Sequence, residues 1–267
     1  MTEALWAVAC GTVPYQAARE AQKALEQARL ERSVPDVLLL LEHPPVLTRG
    51  RRSEAGELPM GVEWYEAQGI EVCDTDRGGR VTYHGPGQLV AYPIVDLGAY
   101  GNDVVAYVRR LESVIIGALG DHGVGAGVVA GLTGVWTDGG DAPAADATAD
   151  SVAAAVAGAR MRKIASIGIH VRRGVTTHGL AVNVSNDLQP FEWIVPCGID
   201  GCRMTSVSRE VGTEIPVDGF ADMLTGRFAS QFGRRVERPS AAEVAERVPG
   251  AAALSRAAGP RPLPLMQ

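Results

Sequence analysis

One run limits what this chain can fold into more than any other: Arg77-Gly-Gly-Arg-Val-Thr-Tyr-His-Gly-Pro-Gly-Gln-Leu-Val-Ala-Tyr-Pro-Ile-Val-Asp-Leu97. Glycine at 78 and 79 opens backbone conformations closed to other residues and lets a ligand approach the main chain. Gly85-Pro86-Gly87 sets a tight turn directly after His84, which places that imidazole at the end of a strand. Leu89 to Leu97 returns as a mostly apolar strand, and Pro93 within it predicts an edge position or a bulge. A lone Gly-Gly pair would be read as a plain hairpin. Arginine, histidine and this many backbone-opening residues together predict a ligand-binding loop.

Such a loop needs a scaffold. With 267 residues, 46% hydrophobic and 21% charged, the chain can build one sizeable globular domain or two small ones. A net charge of −6 argues against broad nucleic-acid binding. No apolar run reaches the length of a membrane span, and the N-terminus lacks the basic-then-apolar pattern of a signal peptide. A soluble cytoplasmic protein is expected. Cys10, Cys73, Cys197 and Cys202 form no Cys-x-x-Cys pair, which leaves a zinc ribbon or redox pair without support.

Periodicity outlines mixed strands and helices. Residues 15–32 carry strong helix formers at helical spacing, and Val37–Leu41 is a short apolar run that predicts a buried strand. Glu42-His43-Pro44-Pro45 ends it, before a basic loop at 48–52; His43 is expected to position that loop rather than to catalyse. Ile70–Thr75 predicts a strand. Asn102 or Asp103 can cap a helix with Val104, Val105, Val108, Leu111, Val114, Ile115 and Leu119 on its apolar face, expected to pack on the sheet and carry no chemistry. Gly131–Trp136 predicts a strand. Lys163–Val171 and Thr176–Val184 read as a hairpin turned by Arg172-Arg-Gly174, and 217–232 as an amphipathic helix with Phe220, Met223, Leu224 and Phe228 on one face. Residues 138–158 lack large apolar side chains and predict a flexible insert; 239–267, rich in alanine, proline and arginine, predict a loosely ordered tail. A single domain is thereby expected over residues 1–238.

The run from Arg77 resembles the signature of the octanoyltransferases of lipoate synthesis, in which Arg-Gly-Gly, Thr-x-His, Gly-Pro-Gly-Gln and Tyr-Pro-Ile follow at these spacings. Glu42-His-Pro, Gly131-Leu-Thr-Gly-Val-Trp136 and Pro196-Cys-Gly-Ile199 match the same family, and the likeness covers roughly Val37 to Phe232. It implies the α/β (α+β) domain shared by biotin and lipoate protein ligases, a mixed sheet flanked by helices. It also implies a reaction: an octanoyl group moves from acyl carrier protein, through a cysteine thioester, to a lysine ε-amine on a lipoyl domain or the glycine-cleavage H protein. No metal and no ATP are implied, because the thioester already stores the activation.

Cysteine suits transfer from a thioester, since thiol exchange is nearly isoenergetic and the thiolate is reactive. Cys10 and Cys73 lie in predicted strands as packed small hydrophobes, whereas Cys202 in its loop is not excluded on chemistry alone. Cys197 stands between Pro196 and Gly198, where a bend and an open backbone expose the sulfur, and it matches the family's acyl-thioester cysteine. Lys163 is the second candidate. Only Lys23 and Lys163 are lysines in a chain that otherwise uses arginine, and a partly buried lysine can exchange a proton where arginine cannot. The resemblance places at this position the lysine that lowers the cysteine's pKa. Arg77, Gly78, Gly79, Arg80, Val81, Thr82, Tyr83 and His84 are expected to line the acyl and thioester site, with glycine N–H groups facing an oxyanion. Ser166, Ile167, Gly168, Gly179, Leu180 and Ala181 are expected to form the channel for a slim acyl chain. A metal held by His84, His178 and Cys197 has no spacing to support it. The rival readings are an ATP-dependent lipoate or biotin ligase, a cysteine hydrolase, and a silent acyl- or carrier-binding protein. The arginines at 49, 51, 52, 172 and 173 are expected to face acidic carrier and lipoyl domains.

Overall fold

The computed structural model describes residues 3–137, 161–196 and 202–255. Its first six strands are β1 (Ala4–Thr12), β2 (Asp36–Glu42), β3 (Val46–Arg49), β4 (Glu71–Asp74), β5 (Thr82–His84) and β6 (Gln88–Ile94). They are followed by β7 (Ala126–Gly127), β8 (Val135–Thr137), β9 (Arg162–Arg172), β10 (Val175–Asn183), β11 (Arg203–Met204) and β12 (Arg235–Glu237). The larger sheet runs β12-β1-β2-β6-β10-β9-β8-β7 with β11 beside β9, and β4-β3-β5 form a second sheet. β1 is parallel to both neighbours, while every pairing from β2 through β6, β10, β9 and β8 to β7 is antiparallel.

The apolar run in β2 explains the layering. Successive side chains of a strand point to opposite faces, so an uninterrupted apolar run needs cover on both sides. Leu38 and Leu40 pack with Leu111, Leu119, Phe220 and Phe228 from the Val104–Asp121 and Val217–Phe232 helices. Val37, Leu39 and Leu41 pack with Ala18, Ala21 and Leu25 of the Tyr15–Leu30 helix. The result is the mixed sheet flanked by helices that the family resemblance implied.

Pro93 departs from expectation. β6 is a central strand, and Pro93 pairs with Leu38 of β2 in unbroken register. The missing N–H is tolerated because the opposite ladder opens at that point. A Cβ on Gly179 would come within 2.5 Å of Pro93 Cδ, which places the ring on the β10 side. The β6–β10 ladder stops at Ala91–Leu180, His178 adopts a φ of 56°, and the Thr176 hydroxyl donates to the Pro93 carbonyl at 2.7 Å.

The segment after Pro239 also differs from the loosely ordered tail expected, as far as residue 255. Ala241–Arg247 is a helix with a capping box, in which the Ser240 hydroxyl accepts from Glu243 N and the Glu243 carboxylate accepts from Ser240 N. Val244, Val248, Ala251 and Leu254 are buried in the cluster around Leu25. Their burial offsets the ordering of the chain, at about 1.5–3 kcal/mol for each large apolar side chain. Residues 138–158, expected as a flexible insert, and 256–267 lie outside the described residues.

The predicted helix at 104 begins with Asp103 accepting from Ala106 N at 2.9 Å. Val104 and Val105, expected on its apolar face, are 42% and 69% exposed, because its buried stripe begins only at Tyr107. The strand expected from Gly131 begins at Val135. No helix among the described residues is long and apolar enough to cross a membrane.

Candidate active site

The glycine-rich loop lies against the β9–β10 hairpin and between them is a cavity of about 550 Å³. That volume is within the usual range for small-molecule sites. Glycine makes the close approach possible. Gly78 N donates to Ile169 O at 2.9 Å, and a Cβ on Gly168 would stand 2.7 Å from Gly78 O. On the loop's other side, a Cβ on Gly50 would stand 2.4 Å from Gly79 O. Arg77 is buried and anchors the loop to β3, its guanidinium donating to the Thr48 carbonyl at 2.6 Å and to the Thr48 hydroxyl at 2.7 Å.

Arg77, Gly78, Gly79, Arg80, Val81, Thr82, His84, Ser166, Ile167, Gly168, Gly179, Leu180 and Ala181 all line this cavity, together with Lys163. Tyr83 does not. Alternation along β5 turns its ring into the apolar cluster around Leu47 and Tyr65, edge-on to Phe191. Cys197 lies outside the described residues. The chain is described up to Pro196 and again from Cys202, and Met204 of β11 is paired with Lys163 of β9. Lys163 is 3% exposed, and its Nζ stands 5.5 Å from the centre of the Trp136 ring.

The other cysteines have distinct surroundings. Burial pushes the Cys10 thiol up to about 12, and burial together with the Glu71 carboxylate does the same to Cys73. Neither holds much thiolate near neutral pH. Cys202 is half-buried and lines a separate cavity with Met204 and Phe191.

A hydrogen-bond chain settles the tautomer of His84. Gln88 Nε2 donates to the Tyr83 carbonyl and to Asn183 Oδ1, and Asn183 Nδ2 donates to the Thr205 carbonyl. Carbonyls only accept, so Gln88 Oε1 faces His84 and His84 Nδ1 carries the proton at 2.7 Å. Its Nε2 is left as an acceptor. Burial first, then the neighbouring His43, pulls the His84 pKa down to about 3, so the ring is neutral. His43 donates from Nδ1 to Val13 O and accepts at Nε2 from the Tyr92 hydroxyl at 2.7 Å, its pKa pulled down to about 4 by burial. It thereby holds Tyr92, a residue of the cavity wall, whereas the expectation was that it positions the 48–52 loop. His178 donates from Nε2 to Asp76 at 2.9 Å. Burial lowers its pKa despite that partner, while the hydrogen bond from His178 holds the Asp76 carboxyl well below the usual range. Among the described residues no group of three or more His, Cys, Asp or Glu stands together as a metal site.

Several lining residues escaped the sequence reading: Tyr15, Tyr92, Val108, Leu132, Trp136 and His178. Leu132 and Trp136 stand in a run that already matched the family pattern, a usable signal. Tyr15 and Val108 carried none, because each belongs to a helix whose period shows only one apolar face. The 104–121 helix does more than pack. Val108 lines the cavity, and the buried Glu112 accepts from Gly134 N at 3.2 Å in the loop beside Lys163. Of the five surface arginines, Arg49 pairs with Asp74 and Arg172 with Glu26.

Comparison with known proteins decides the family. The lipoyl protein ligase A/B catalytic domain matches residues 14–229. An octanoyltransferase of Solibacter usitatus is 44% identical over 222 residues, spanning 83% of this chain and 90% of that one. An octanoyltransferase of Roseiflexus sp. is 42% identical, spanning 83% and 85%. The chain belongs to the octanoyltransferase family. By class it is an acyltransferase. The fold agrees with more distant structures. A bi-partite lipoate protein ligase from Thermoplasma acidophilum superposes with a TM-score of 0.68 at 16% identity, over 96% of this chain and 91% of that one. A lipoate-protein ligase A bound with ATP gives 0.62 at 16% identity, over 96% and 93%. Within the octanoyltransferase family, the cavity between the glycine-rich loop and the hairpin is the candidate active site.

Proposed function

We propose that this chain moves an octanoyl group from octanoyl-acyl carrier protein to the ε-amine of a lysine on lipoyl domains or the glycine-cleavage H protein, through a thioester on Cys197. The observation that carries the reading is the buried Lys163 at the wall of a half-apolar cavity, beside the strand that follows the Cys197 segment. In the first step the Cys197 thiolate attacks the octanoyl carbonyl. The new C–S bond forms as the carrier's C–S bond breaks, and the carrier leaves as a thiol with the proton that left Cys197. In the second step the acceptor amine, having lost its ammonium proton, attacks the Cys197 thioester. The C–N bond forms, the C–S bond breaks, and the amine's surplus proton returns to Cys197.

Lys163 supplies the nearby cation that favours the thiolate and relays the proton between amine and sulfur. Gly78 N is engaged by Ile169 O and Val81 N by Glu57, so a carbonyl oxyanion at this loop is left the N–H groups of Gly79 and Arg80. The wall formed by Val81, Val90, Val108, Ile167, Leu180 and Ala181 takes the acyl chain. The raised thiols of Cys10 and Cys73 support Cys197 as nucleophile by removing two competitors. On this reading the protein acts in the cytoplasm.

Intact mass after incubation with octanoyl-acyl carrier protein, without ATP, tests the proposal. One octanoyl mass should appear on the peptide holding Cys197 and disappear on addition of an apo lipoyl domain. Label on Cys202 instead, transfer that requires ATP, or a fully active Cys197→Ser variant would sink it.

A further inference from the structure

Glu57 is not among the residues lining the cavity, yet it ties the glycine-rich loop to the backbone that leads to Cys197. Its side chain is 4% exposed. One carboxylate oxygen accepts from the Arg80 guanidinium at 2.5 Å, and the other accepts from Val81 N at 3.3 Å. Both partners belong to the end of the glycine-rich loop. The main-chain carbonyl of the same residue accepts from Val195 N at 3.1 Å, two positions before Cys197 in the sequence. No flexible link separates the two attachments: one residue holds the loop by its side chain and the approach to Cys197 by its backbone.

Neighbouring contacts stiffen the same bracket. Tyr65 donates to the Trp193 carbonyl at 2.5 Å, and Trp64 stacks edge-on to Trp193 at 5.3 Å between centroids. Arg80 is also held from outside, by Glu54 at 2.6 Å. A buried carboxylate is expensive to desolvate, and it persists here because it has a charged partner and a backbone donor. Replacing it with an amide keeps the volume but sets the new NH2 group against either the Arg80 guanidinium or Val81 N–H. The clamp is thereby lost without opening a cavity.

We propose that Glu57 is a positioning residue of the acyl transfer: it sets the separation between the Arg77–Arg80 loop and the Val195 backbone, two residues before Cys197 in the sequence. This rests on Cys197 being the nucleophile. A misplacement of about 1 Å between reacting groups can lower a rate by about a hundredfold while leaving substrate binding nearly intact. Glu57 therefore acts on the rate of acylation more than on donor affinity, and it acts through Arg80.

The test is single-turnover acylation by octanoyl-acyl carrier protein, followed by intact mass and peptide mapping. It compares the full-length wild-type protein, Glu57→Gln, Glu57→Asp, Arg80→Gln and the Glu57→Gln/Arg80→Gln double variant, with folding checked by circular dichroism. Glu57→Gln should slow acylation at saturating donor by at least about tenfold, with donor half-saturation moved less than about threefold. The double variant should be no slower than the slower single one, because the two residues form one unit. Glu57→Asp keeps the charge but shortens the reach by one methylene, and should fall in the same direction if Glu57→Gln does not fold. Wild-type acylation by a folded Glu57→Gln or Glu57→Asp overturns the proposal, as do losses that simply add in the double variant. Wild-type protein labelled elsewhere than Cys197 overturns the nucleophile assignment beneath it, an outcome read independently of any Glu57 variant.

Discussion

The Lys163 side chain occupies space that a side chain at Gly134 would need: a Cβ there would stand 2.8 Å from Lys163 Cε and 3.3 Å from Nζ. Gly134 holds a φ of 118°, its N–H donates to the buried Glu112, and the same Cβ would stand 2.6 Å from Ala165 O. The position of the one buried lysine among the described residues is thus set by a glycine on another strand's approach.

Gly134→Ala should displace Lys163 and slow octanoyl transfer by about a hundredfold, the scale of a 1 Å misplacement. It should also destabilise the protein by about 1–3 kcal/mol from backbone strain at that φ. Steady-state transfer and denaturant midpoints check both parts. Wild-type transfer in the folded variant would show that the lysine's exact placement does not matter.

Substitution of Lys163 separates charge from proton exchange. Lys163→Arg keeps a cation but cannot take a proton, since its pKa stays above about 12. It should allow some acylation of Cys197 while strongly slowing transfer to the lipoyl domain, whose acceptor amine starts as ammonium near pKa 10.4. Lys163→Met should impair both half-reactions. Transfer at the wild-type rate by Lys163→Arg would move the base elsewhere.

His43 and His84 make stability fall in mild acid. Their folded pKa values lie near 4 and near 3, below an unfolded value of 6.5. Between those limits the unfolded chain binds more protons, so the contribution is fully present above 6.5 and is lost as pH drops towards the folded values. By pH 5 each histidine removes about 2 kcal/mol. Urea midpoints at pH 7 and pH 5 should show the drop, and His84→Gln should flatten it. An unchanged slope in that variant would mean His84 is not buried neutral.

Truncation after Arg238 should destabilise the protein by more than about 3 kcal/mol. It removes Val244, Val248, Ala251 and Leu254 from the cluster around Leu25, at about 1.5–3 kcal/mol for each large apolar side chain. Thermal unfolding of the shortened chain checks this. A melting temperature within about 2 °C of the full chain would mean the segment contributes nothing.

Local chemistry was legible in the chain by itself. The glycine-rich loop, the apolar β2 run, the amphipathic 217–232 helix, and Lys163 standing out among arginines each depend on neighbours in sequence, where periodicity and residue type suffice. The capping box Ser240-Ala-Ala-Glu243 was legible too, but the alanine and proline around it masked a helix that needs only a few buried side chains. Tertiary structure decided the rest, because each remaining feature pairs residues far apart in the chain. Pro93 sits mid-sheet only because β10 opens opposite it, at His178 and Gly179. Tyr83 turns away while His84 turns in, which follows from which face of β5 meets the hairpin. Gly134 makes room for Lys163, and Glu57 spans from Arg80 to Val195, through contacts that no local pattern encodes. Residue types and local spacing determine which chemistry the chain carries; long-range packing alone determines which of those groups face one another.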